Sequence, residues 1–182
     1  MAKVIDLNHY KKKRLGKVCF TPWNQRFRES YDESTTLKDL SDKTLLYLAS
    51  PGEKSTNAFY EIIHCVKHPQ LQKRKQSISK QDELEMMDVH LLMADRVRFE
   101  LISRLSWIVE YPDENIPIID LISMFQRNTY KHFHSPPKLA LDHSHYSEFQ
   151  KLIDREKVLF IKKLFVNALI VFNNRTNNSS EK

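Results

Sequence analysis

Glycine is almost missing from this chain: Gly16 and Gly52 are the only two among 182 residues. Phosphate-cradling loops need several residues that tolerate positive φ and let the backbone approach a ligand closely. Two isolated glycines cannot build one, so nucleotide-binding folds of that kind are excluded. The segment from Ser50 to Thr56 holds Gly-Glu-Lys-Ser without the earlier glycine that a phosphate nest requires. Scarce glycine also disfavours tight hairpins, and the abundance of Leu, Lys, Glu, Met and Gln favours helices.

Cysteine is equally sparse. Cys19 and Cys65 lie far apart with no C-x-x-C spacing, a pattern that predicts free thiols and a reducing compartment. Long apolar runs are lacking as well. The strongest, Val158 to Phe172, is interrupted by Lys162, Lys163 and Asn167, whereas a membrane-spanning helix needs about 20 mostly apolar residues. No membrane insertion is expected. The apolar residues near the start (Val4, Ile5, Leu7) are too few for a signal peptide, so the expected location is the cytoplasm.

The charge that is present is unevenly placed. The net +6 of the chain is matched by residues 1–30, where Lys3, Lys11, Lys12, Lys13, Arg14, Lys17, Arg26 and Arg28 face only Asp6 and Glu29. Residues 1–34 therefore read as a basic N-terminal arm, with Phe20, Trp23 and Phe27 spaced to lay one face of a short helix on the body. Residues 35–173 read as a helical bundle domain and 174–182 as a polar, disordered tail.

Hydrophobic periodicity predicts five helices in that domain. The first spans about 36–49, with Thr36 and Asp39 at capping-box spacing. The second starts with Ser50 as N-cap and Pro51 at the first helical position, and Pro69 stops it. The third and longest runs from about Asp82 to Glu110, gathering Leu84, Met87, Leu91, Ala94, Val97 and Leu101 on one face. The fourth occupies about 117–133 and the fifth about 144–172. The fold class is all-α: a single-domain helical bundle of about five helices with a basic arm.

Three groups of residues are candidates for chemistry. On the third helix Arg98 and His90 fall inside the apolar face, with Asp88 and Asp95 at its margin. A buried arginine needs a partner, so these four residues read either as an ion pair that fixes packing or as the lining of a pocket for a small polar or anionic ligand. Histidine is clustered. His64 and His68 are spaced i, i+4 behind Glu61, and two nitrogens with an oxygen suit zinc or iron. His132, His134, His143 and His145 flank a diproline loop as two H-x-H pairs that suit a metal or acid–base use. The plain alternative is a set of polar residues near helix ends. The basic run Lys11, Lys12, Lys13, Arg14 and Lys17, followed by aromatics, is the charge pattern of a nucleic-acid-binding segment.

No nucleophile–base pairing is discernible, and no cofactor is expected. The reading that follows is a non-catalytic interaction or regulatory protein with an unidentified protein partner, and a homodimer through an apolar face of the fifth or second helix. The alternatives are a helical-bundle enzyme or ligand- or metal-binding protein, and a nucleic-acid binder acting through the arm.

Overall fold

In a computed structural model, residues 7–69, 78–125 and 135–179 are described. They form an all-α protein with seven helices and one two-stranded ribbon. The helices are α1 (Leu7–Phe27), α2 (Asp42–Ala49), α3 (Glu53–Lys67), α4 (Lys80–Arg104), α5 (Ile118–Met124), α6 (Tyr146–Gln150) and α7 (Asp154–Ser179). Strands β1 (Ile108–Glu110) and β2 (Lys138–Leu139) pair antiparallel, with Ile108 opposite Leu139.

Helix α4 lies at the centre and packs against α2, α3, α7 and β1. It starts at Lys80, two residues before the expected Asp82, and Ser79 caps it: the Ser79 hydroxyl accepts from the Asp82 N–H at 3.2 Å. Its buried side is Met86, Val89, Leu92, Met93, Val97, Phe99, Leu101 and Ile102. The face expected inside is thus corrected in its first half, where Leu84, Met87 and Leu91 are exposed. The helix ends at Arg104 because Ser106 turns left-handed, with φ 62°. Ile108 and Val109 therefore continue into a strand rather than a helix.

The half of the arm nearest the body belongs to the core. Cys19, Phe20, Trp23 and Phe27 of α1 are buried, and α1 packs on α3. The Trp23 indole N–H donates to the Ala58 carbonyl at 2.9 Å, and Arg26 donates to both carboxylate oxygens of Glu61 at 2.8 and 2.6 Å. This packing brings the Cα atoms of Cys19 and Cys65 to 5.4 Å, and the two are joined by a disulfide. The expectation of free thiols is overturned, and with it the spacing argument for a reducing compartment.

Both glycines have structural work. At Gly16 an added Cβ would lie 2.6 Å from the Glu33 backbone nitrogen. At Gly52 φ is 139°, a conformation that L side chains rarely adopt. Gly52, not Ser50, is the N-cap of α3. Ser50 closes α2 instead, and its carbonyl accepts from the Ser55 hydroxyl at 2.7 Å.

The first expected helix divides into a 3-10 turn at Leu37–Asp39, where the Thr36 N–H donates to the Asp39 carboxylate at 2.8 Å, and a separate α2 capped by Ser41. The fifth divides at Lys151–Ile153, and its second part runs through the expected tail to Ser179. Ile118, Leu121, Ile122 and Phe125 are buried as the periodicity of the fourth requires. The helix itself ends at Met124, where Phe125 turns extended, short of the expected 133; residues 126–134 lie outside the described residues.

Candidate interaction surface

The buried charge in α4 belongs to Arg96 and Glu100, not Arg98. The Arg96 guanidinium donates to the Asp113 carboxylate at 3.0 and 2.9 Å and lies over the Phe99 ring. Glu100 accepts from the Tyr111 hydroxyl at 2.7 Å and from Arg104 at 2.7 Å. Burial, with the Glu100 charge beside it, pushes the Tyr111 phenol far up and keeps it neutral. Arg104 also donates to the Leu40 carbonyl at 2.7 Å and contacts Asp42. Burial opposes its charge, but the bonds to Glu100 and Asp42 prevail and raise its pKa. These groups fasten α4 to the turns at 37–41 and 111–116, and each named charge is matched inside the fold.

The four residues expected to line a pocket are placed otherwise. Arg98 has a side chain 41% exposed and lies over the Phe165 ring, 3.3 Å from Asp95. Asp95 also accepts from Lys162 at 2.5 Å. His90 sits against the rings of Phe59 and Tyr60, and burial, then the Arg98 charge, lowers its pKa. Asp88 is half-buried on the same helix. Two hollows of about 430 and 470 Å³ occur near the β-ribbon, and none of the four residues lines either.

Among the described residues no three metal-competent side chains come together. His64 and His68 stand 5.7 Å apart by ring centroid, with burial and then the His68 charge lowering the His64 pKa. Glu61, behind them, is held by Arg26. His143 and His145 are 5.8 Å apart, against Trp107 and Phe160 respectively. His132 and His134 lie outside the described residues.

In α1 the basic run is partly consumed. Lys12 pairs with Asp120 at 2.6 Å. Lys11, Arg14 and Lys17 share one exposed helix face with Leu7, Tyr10 and Val18, and Lys13 is exposed beside it. The connector basics Lys73, Arg74 and Lys75 lie outside the described residues.

An apolar face of the fifth helix is expected from the sequence, and the outward side of α7 supplies one. Its inward face is core: Ile161, Ala168 and Phe172 are at most 1% exposed. Directly opposite, Leu159, Val166 and Ile170 are 50 to 64% exposed. A helix apolar on both sides normally has neighbours on both sides. Leu84, Met87 and Leu91 of α4, at i, i+3, i+7, form a second exposed apolar stripe. No helix among the described residues is long and apolar enough to cross a membrane.

Compared with protein-family models, with curated proteins and with solved structures, the chain matches none.

Proposed function

We propose that this all-α protein is a non-catalytic interaction or regulatory protein whose partners dock on the outward faces of α4 and α7. The observation that carries the reading is the doubly apolar character of α7, with Leu159, Val166 and Ile170 facing solvent behind a fully buried inner face. Burying such side chains is worth about 1.5–3 kcal/mol each, so their exposure on a regular helix is a feature of binding surfaces. The buried charges of α4 are satisfied within the fold, which supports a structural rather than a catalytic role for them.

The reading is tested by affinity capture with the wild-type chain and a Leu91→Glu/Val166→Glu variant, each verified as folded. Proteins retained by the first and lost by the second support it. Identical sets from both sink it.

A second reading rests on the exposed face of α1, where Lys11, Arg14 and Lys17 alternate with Tyr10 and Val18. Such a surface binds single-stranded nucleic acid through phosphates and stacking. Binding to a generic oligonucleotide that weakens steeply with salt would support it, and an absence of binding at low salt would end it.

A further inference from the structure

We propose that the occupant of these stripes is a second copy of this chain, with α4 of each protomer receiving the outer face of α7 from the other; this rests on the interaction reading above. The two helices run in the same direction, as the contacts from Asp95–Lys162 through Arg98–Phe165 to Arg104–Arg175 show. At this register α7 begins level with Met87, so α4 projects beyond it, and Leu84, Met87 and Leu91 form an exposed ledge at that end. The outer face of α7 forms a raised step beside that ledge.

A ledge and a step side by side are self-complementary under a two-fold rotation: the step of one copy fills the ledge of the other, twice.

The side chains match this arrangement. A two-fold axis across the helices sets α4 of one copy antiparallel to α7 of the other. Leu84 then meets Val166 and Leu91 meets Leu159, the two members on each helix being seven residues apart, with Asp88 on one helix and Lys163 on the other between them. The apolar members fall opposite apolar members and the charges are of opposite sign. The surrounding surfaces agree. Residues 80–91 carry Asp82, Glu83, Glu85 and Asp88 against Lys80, and after Glu156 every charged residue of α7 is basic.

The six exposed apolar side chains offer on the order of 500 Å² per copy, at the upper end of the largest apolar patch of a monomer. Paired two-fold they bury about 1,000 Å², the lower limit for a specific interface. An interface of that size is that of a weak, reversible dimer, with complementary charges setting its register.

Sedimentation equilibrium of the purified full chain tests the proposal. The wild type is expected to dimerise at tens of micromolar and dissociate on dilution. Leu91→Glu and Val166→Glu, each checked by circular dichroism, are expected to be monomeric. Asp88→Lys and Lys163→Glu alone should each weaken the dimer about tenfold, and the two together should restore it. A monomeric wild type at 100 μM, or a double charge swap no tighter than either single change, overturns the proposal. A monomeric wild type that still loses captured proteins through the Leu91→Glu/Val166→Glu change would overturn self-association alone and leave the interaction reading standing.

Discussion

Two arginines two residues apart on α4 should behave very differently when their charge is removed. The Arg96 side chain is 5% exposed and its guanidinium makes two bonds to Asp113, whereas the Arg98 side chain is 41% exposed beside Asp95. In Arg96→Met the aliphatic stem is kept, while Phe99 loses the guanidinium over its ring and Asp113 loses this partner. Breaking a buried pair costs about 3–5 kcal/mol. Because the Asp113 side chain is still 25% exposed, water recovers part of that, leaving about 2–3 kcal/mol. Arg98→Leu removes a solvent-screened pair and an exposed contact over the Phe165 ring and should cost about 1 kcal/mol. For a chain of this size the first change lowers Tm by roughly 5–10 °C. Urea unfolding followed by far-UV circular dichroism measures both. Equal losses, or a greater loss for Arg98→Leu, would refute the assignment of the buried charge to Arg96.

Gly16→Ala should destabilise by about 1–3 kcal/mol through overpacking against the Glu33 backbone, seen as a lower urea midpoint at unchanged slope. Reducing the Cys19–Cys65 bond, which closes a loop of sequence separation 46, should cost about 4 kcal/mol by loop entropy; an unchanged midpoint in reductant would contradict this. Burial lowers the His64, His90 and His143 pKa values below their ordinary 6.5. The unfolded chain then takes up protons first as pH falls, so stability is intact above about pH 7 and declines toward pH 5. His90→Gln should flatten that decline, measured as Tm against pH.

The sequence carried the helical class clearly because α3, α4, α5 and α7 each keep apolar residues at helical spacing. It misplaced the inside of α4 because that helix has two apolar faces. Leu84, Met87 and Leu91 form one stripe and Met86, Val89 and Met93 another, and only tertiary packing decides which is covered. Arg96 and Arg98 belong to different sides of the same helix, so which of them is buried follows from which face is covered. Helical periodicity runs on to Glu110 because no glycine or proline marks the end of α4; the break is made by Ser106 in a left-handed conformation. The disulfide was illegible because it depends on α1 docking against α3, and no local spacing encodes that contact. The apolar outer face of α7 was legible, because Leu159, Val166 and Ile170 share the side of the helix opposite the one that faces the core.

The measurement that bears most directly on the central claim is native mass spectrometry of the untagged protein purified without chelator. A partner-binding protein of this kind should appear as an apo chain at monomer and dimer masses, with dimer lost in the Leu91→Glu/Val166→Glu variant. A stoichiometric metal or small-molecule mass retained by the folded chain would contradict the non-catalytic interaction reading and turn attention to the histidine pairs.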